Sequence, residues 1–176
     1  MQVDLHIRES VQNDAAAIES LYPEAFPDED LLPVVRALLK DPAIGMSLVA
    51  TVDSQVVAHV FFTTCEVDGS DIKSVLLGPL AVAPGLQKRG IGTALVRDGL
   101  QRLQRESVQL VCVLGDPGYY GRLGFEAETL VEPPYPLPAE WAGAWQSQYL
   151  VDAATRCAGR LSVPPQWRHR ELWAPA

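Results

Sequence analysis

A single α/β domain, by some schemes α+β, is the fold class this chain predicts, and three observations predict it. An apolar strand ending Leu80-Ala-Val82 runs into the glycine-punctuated turn Gly85-Leu-Gln-Lys-Arg-Gly-Ile-Gly92, which opens a helix. A helix over Gly90 to Glu106 and a second strand over Val108 to Leu114 follow, the length of one right-handed βαβ crossover. Upstream, apolar runs of strand length alternate with segments of helical spacing, as in a mixed sheet flanked by helices.

Leu5 and Ile7 alternate with polar residues as a short edge strand. Asn13-Asp14 can cap a helix carrying Ile18, Leu21 and Tyr22 at helical spacing, which Pro23 is expected to stop. A second helix is predicted from Asp28 to Asp30 onward through Leu31, Leu32, Val35, Leu38 and Leu39, with Pro33 in its first turn and Asp41-Pro42 at its end. Met46 to Val52 and Gln55 to Cys65 read as strands joined by a tight hairpin at Asp53-Ser54. A turn at Asp68-Gly69 leads into the strand Ile72 to Val82. Its internal Gly78-Pro79 cannot supply a ladder donor and predicts a bulge. Glu132-Pro-Pro-Tyr-Pro-Leu-Pro138 is an extended connector. The segment after it, residues 132–176 with the connector, reads as an extension that packs Trp141, Trp145, Trp167 and Trp173 on the core and adds a last strand or two.

Composition excludes several function classes. With 176 residues, 48% hydrophobic content and a net charge of -8, the chain suits one globular core and does not suit nucleic acid as the main partner. The N-terminus lacks the apolar core of a signal peptide, and no apolar run is long enough to span a bilayer, so a cytoplasmic protein without a membrane partner is expected. Cys65, Cys112 and Cys157 are odd in number and far apart, with no His partner nearby, so neither a disulfide framework nor a metal site is predicted. Positive charge is concentrated at Lys88, Arg89, Arg97, Arg102 and Arg105 against Asp98 alone. Arg97, Arg102 and Arg105 suit a solvated helix face, whereas Lys88 and Arg89 lie in the glycine turn itself, where cations can meet a polyphosphate.

Such a turn binds anions, because glycine lets a ligand approach the backbone and the first N–H groups of a helix have no partner within it. A nucleoside-triphosphate loop is excluded: Gly85 and Gly90 have its spacing, but Ile91 and Gly92 stand where Lys and Ser or Thr are required. A dinucleotide fingerprint fails as well, since Gly90-Ile-Gly92-Thr-Ala-Leu95 lacks the third glycine and a following acidic partner. The pattern Gln87-x-x-Gly90-x-Gly92 after Leu80-Ala-Val82 resembles the acyl-CoA signature of the GNAT acetyltransferase superfamily. Downstream, Gly115-Asp-Pro-Gly-Tyr-Tyr-Gly-Arg-Leu-Gly-Phe125 resembles the family's final short helix and strand, and together with His59 is most similar to an uncharacterised bacterial branch carrying Gly-Asp-Pro-x-Tyr-Tyr. The resemblance spans residues 5–125 and is strongest over 76–125.

The resemblance implies a mixed central sheet of six to seven strands flanked by four helices and splayed between the fourth and fifth strands. It implies acetyl-CoA as co-substrate, bound by Gln87, Lys88, Arg89, Gly90, Ile91, Gly92 and Thr93 at the pyrophosphate and by main-chain groups of Leu80, Ala81 and Val82 along the pantetheine arm. One N–H of that strand would meet the oxyanion. Tyr120, four residues before Gly124, matches the family's general acid, with Tyr119 expected as the packing neighbour. His59, Glu66 and Asp71 are candidates for the general base. Glu24, Asp28, Glu29 and Asp30 lie where the family shapes its acceptor pocket, although helix capping and solvation are the simpler account of them. An Asn that many members carry after the fifth strand has no counterpart in Val113-Leu-Gly-Asp-Pro117.

The function so implied is transfer of an acetyl group to an amine, by a monomer or homodimer, without an acyl-cysteine intermediate. Protein N-terminus, lysine, polyamine, amino acid and drug are open as acceptors. A non-catalytic acyl-CoA sensor would need the glycine turn but not Tyr120. An interaction protein built on the Trp-rich tail would need neither.

Overall fold

The computed structural model describes residues 4–151 and 156–174. They form two compact units, Met1–Phe62 with Gly78–Gln101 and Thr63–Leu77 with Arg102–Ala176. Nine strands occur among the described residues: β1 Leu5–Glu9, β2 Gly45–Val52, β3 Gln55–Val67, β4 Ser74–Val82, β5 Leu110–Leu114, β6 Glu126–Ala127, β7 Val131–Glu132, β8 Trp145–Tyr149 and β9 Gly159–Ser162. The α-helices are α1 Ala15–Ala25, α2 Leu32–Leu39, α3 Ile91–Arg105 and α4 Pro117–Tyr120. The strands in excess of six or seven include β6 and β7, whose two residues each are too short to leave an alternating pattern.

In the first unit the strand order is β1-β2-β3-β4. β1 runs antiparallel to β2 from Leu5↔Val52 to Glu9↔Leu48. The hairpin at Asp53-Ser54 is as predicted, with both residues at positive φ, 50° and 65°, the backbone twist that matches paired strands. Asp14 does not cap α1 with its side chain. Its carboxylate instead accepts from the Arg8 guanidinium at 2.7 Å and from the Val11 N–H at 2.7 Å, and the Arg8 bond holds it below the usual carboxylate range. Pro23 does not stop α1 either. It lies within the last turn, where its missing N–H forfeits one bond, and the helix closes with Phe26 N–H on the Tyr22 carbonyl. α2 starts only at Leu32, so the acids before it lie in the preceding turn and are exposed.

α3 buries Ile91, Leu95, Val96 and Leu100 along one stripe, the spacing of an amphipathic helix. Gly99 belongs to that stripe for another reason: a Cβ there would collide with the Phe62 ring. Glycine to alanine within a helix ordinarily adds roughly 1 kcal/mol, but overpacking costs roughly 1–3 kcal/mol. Gly99→Ala is therefore expected to lower stability in urea unfolding, and a stabilised variant would show that the ring yields freely.

In the second unit β5 is parallel to β4 over Ser74↔Leu110 to Leu77↔Val113, where the ladder ends. That short pairing, followed in β4 by the half-buried Gly78, Pro79 and Leu80, fits the expected splay. At Gly78-Pro79, where a bulge is expected, the structure has a cis peptide with Gly78 at φ 134°. β8 is antiparallel to β5 from Leu110↔Tyr149 to Leu114↔Trp145, β6 pairs with β8, and β9 joins β3 to β7. Trp145, Trp167 and Trp173 are buried as expected, and each indole N–H is satisfied, by the Val131 carbonyl, the Thr63 hydroxyl and the Trp167 carbonyl. Trp141 is only half-buried. Among the described residues no helix is long and apolar enough to cross a membrane.

Candidate functional site

The glycine turn of the first unit is built by its own backbone. After β4, the Ala83 N–H bonds the Val57 carbonyl at 2.8 Å, and a single turn at Pro84–Leu86 redirects the chain. The Gln87 side chain folds back, its Nε2 donating to the Val82 carbonyl at 3.0 Å. Gln87 thus ties the end of β4 to the turn. Lys88 and Gly90 both have positive φ, 62° and 83°, with Arg89 between them. Gly90 then caps α3: its carbonyl accepts the Ala94 N–H at 2.9 Å. The N–H groups of Ile91 and Gly92 precede that first intrahelical bond and sit at the positive end of the helix dipole. Gly90 is exposed, and a Cβ built on it would meet no protein atom within 4 Å. Lys88 and Arg89 are exposed beside it. Exposed backbone donors at a helix start with two cations beside them suit a diphosphate. The strand residues Leu80 and Val82 are half-buried and Ala81 is buried.

His59 stands elsewhere in the same unit, on β3 and 0% exposed. Both ring nitrogens are engaged, Nδ1 with the Tyr22 hydroxyl at 2.7 Å and Nε2 with the Ser47 hydroxyl at 2.8 Å. Burial drives its pKa down to about 3, so the ring is neutral and offers no free nitrogen to a substrate. Tyr22 is legible in the sequence only as a core residue of α1, and Ser47 carries no signal at all. The acids of the turn before α2 line, with Pro23, Phe26, Pro27, Leu31 and Leu32, a surface cavity of about 370 Å³.

Tyr120 belongs to the second unit. Asp116 caps α4 by accepting the Gly118 N–H at 2.9 Å, and the chain reverses at Gly124, φ 97°. The expectation that Tyr119 is the packing member of the pair is reversed: Tyr120 is 8% exposed and Tyr119 half-exposed. The reason is the ring's seat. Tyr120 packs edge-on against Phe125 and lies so closely over Gly115 that any Cβ there would strike it. The Gly115 carbonyl is held in turn by Gln146, a buried residue of β8 whose Nε2 donates to it at 3.1 Å. Burial raises the Tyr120 pKa above the usual phenol value, which keeps the hydroxyl protonated. Glu66 and Asp71 are exposed, Glu66 on β3 opposite Ser162. Among the described residues no group of His, Cys, Asp and Glu is arranged to hold a metal ion.

A family model described as the GNAT acetyltransferase domain matches residues 6–127 of this chain. Two relatives from Escherichia coli K12 are the uncharacterised N-acetyltransferases YjhQ, 32% identical over 85% of this chain and 87% of its own length, and YhbS, 34% identical over 84% and 89%. Among solved structures, that of E. coli YhbS in complex with CoA superposes with a TM-score of 0.87 at 29% identity, covering 96% of this chain and 94% of the other. A GNAT acetyltransferase from Brucella melitensis in complex with acetyl-CoA gives 0.77 at 29% identity, covering 94% and 99%. The turn, the capped helix and the matched sequence agree: this chain belongs to the GNAT acetyltransferase family.

Proposed function

We propose that the protein transfers the acetyl group of acetyl-CoA directly to the amine of an acceptor. The observation that carries this reading is the Gly90-capped start of α3, whose leading N–H groups and flanking cations suit the CoA pyrophosphate, and the ligands of the two related crystal structures support the choice of donor. Backbone amides from Arg89 to Thr93 hold the pyrophosphate, and Gln87 acts through its bond to Val82 by fixing the turn to β4. Main-chain groups of Leu80, Ala81 and Val82 receive the pantetheine arm, and an N–H among them meets the oxygen of the thioester as charge develops on it. The amine nitrogen attacks the carbonyl carbon, the C–S bond breaks, and the thiolate takes the Tyr120 proton. The amine's own proton leaves through Glu66 or water, His59 having no nitrogen to receive it.

Transfer is direct in this reading, and the two buried thiols, Cys65 and Cys112, are poor nucleophiles. Burial pushes Cys65 up to about 12 and raises Cys112 as well, and the thiolate is the attacking form. The three cysteines form no disulfide, which suits a reducing compartment, and we place the enzyme in the cytoplasm. Calorimetry with acetyl-CoA, followed by thiol release with a panel of polyamines, amino acids and peptides, tests the reading. Saturable binding and amine-dependent release with an acetylated product are expected, whereas a folded protein that fails to bind acetyl-CoA overturns it.

A further inference from the structure

One polar chain in the first unit, half-buried at its serines and buried at His59 and Tyr22, has no part in the chemistry just described. Ser10 donates to the Ser47 hydroxyl at 2.7 Å. Ser47 meets His59 Nε2 at 2.8 Å, and His59 Nδ1 meets the Tyr22 hydroxyl at 2.7 Å. Tyr22, 1% exposed, donates to the main-chain carbonyl of Pro79 in β4 at 3.1 Å. The protons in this chain can be placed. A carbonyl can only accept, so the single hydroxyl proton of Tyr22 points at Pro79, and toward His59 the phenol oxygen is the acceptor. Nδ1 therefore carries the ring proton of the neutral imidazole. Nε2 is bare and accepts from Ser47, which in turn accepts from Ser10. Every bond runs the same way, from Ser10 toward β4.

The far end of the chain decides what it does. A peptide carbonyl is not a base that takes up a proton, so these groups do not carry protons to a substrate. They hold a peptide plane instead. Pro79 brings no N–H to a neighbouring strand, and the carbonyl that Tyr22 grips belongs to the same planar unit as the Leu80 N–H, which points the opposite way. Fixing the oxygen fixes that N–H.

We propose that Tyr22 and His59 are positioning residues that clamp the Pro79–Leu80 peptide of β4 and so aim the main-chain donor of the acyl-transfer site, an inference that rests on the function proposed above. The hydroxyls of Ser10 and Ser47, the His59 ring and the Tyr22 phenol are linked in series and end on one carbonyl, so the buried Tyr22 and His59 rings carry a polar relay through the core that apolar packing alone does not require. Loss of the clamp lets the peptide rotate by some tens of degrees, and misplacement of a reacting group by about 1 Å costs on the order of a hundredfold in rate.

The test uses the full chain and Tyr22→Phe, which keeps the ring and removes the hydroxyl. Three quantities are read: kcat for thiol release from acetyl-CoA with the best amine of the panel, the calorimetric Kd for acetyl-CoA, and hydrogen exchange of the peptide spanning 78–82 in the unliganded protein. The expected result is a ten- to hundredfold fall in kcat, a Kd within threefold of the parent, and faster exchange at 78–82. His59→Asn, which keeps an amide donor near the Nδ1 position, is expected to retain more activity than His59→Leu. A folded Tyr22→Phe with parental kcat overturns the proposal, as does unchanged exchange or a loss confined to Kd. Should Tyr22→Phe not fold, Ser47→Ala carries the same readings from the outer end of the chain, with an expected two- to tenfold fall in kcat. If the parent protein neither binds nor turns over acetyl-CoA, the proposed function fails, and the exchange measurement still decides whether the clamp exists.

Discussion

Gly90→Asp is expected to abolish acetyl-CoA binding, by at least a hundredfold in calorimetric Kd, while leaving the protein folded. The two halves of that expectation have separate causes. Residue 90 has φ 83°, a conformation aspartate tolerates better than most side chains, at roughly 1 kcal/mol. A Cβ there meets no protein atom within 4 Å, so the fold loses little beyond backbone strain. The ligand meets both a side chain in the space its diphosphate requires and a carboxylate where the helix dipole and the Lys88 and Arg89 cations favour negative charge. Gly90→Ala separates these effects. It adds bulk without charge, and an intermediate loss of roughly tenfold is expected from the wall alone. Parental affinity in a folded Gly90→Asp would mean that the start of α3 does not face the pyrophosphate.

Tyr120→Phe is expected to lower kcat by roughly ten- to a thousandfold with Kd for acetyl-CoA unchanged. The variant keeps the ring that lies over Gly115 and against Phe125, so its stability is expected to stay close to the parent's. Tyr119→Phe is the control and is expected to be nearly silent. The sign of the pH effect follows from burial: a raised pKa keeps the phenol protonated at neutral and mildly alkaline pH. Any alkaline loss of kcat caused by Tyr120 therefore lies above the ordinary phenol value of about 10, and an ionisation near pH 8 would belong to another group. If both tyrosine variants behave alike, or if Tyr120→Phe changes only the affinity for acetyl-CoA, the hydroxyl is not the acid.

Much of the first unit is legible in the sequence because its determinants are local. The hairpin at Asp53-Ser54, the Gln87-x-x-Gly90-x-Gly92 turn and the apolar stripe of α3 are each written within a few residues, where turn chemistry and helical spacing operate. Local rules also mislead in places. Pro23 reads as a stop, yet one lost hydrogen bond in a last turn is a small cost. Asp14 reads as a cap, yet Arg8 supplies a stronger partner for its carboxylate. The order of Tyr119 and Tyr120 misleads because the deciding contacts, Gly115 and Phe125, lie on either side of the pair. Least legible are Ser47, Gln146 and the partnership of Tyr22 with His59. Tyr22 lies 37 residues from His59 and 57 from Pro79, and Gln146 lies 31 from Gly115. Nothing periodic connects such positions; only the folded sheet brings them into register.

The uniform direction of the bonds from Ser10 to Pro79 has an electrical consequence. Hydrogen bonds linked head to tail polarise one another, strengthening each by about 10–30%, so the carbonyl at the end draws more electron density than an ordinary strand carbonyl. Through the conjugated amide this leaves the Leu80 N–H a more positive hydrogen than its neighbours carry. Every member of the chain is neutral, with His59 uncharged across the physiological range. The field at Leu80 is therefore that of a built-in dipole without a counter-ion to attract, and added salt, which weakens the attraction of Lys88 and Arg89 for a diphosphate, leaves it in place.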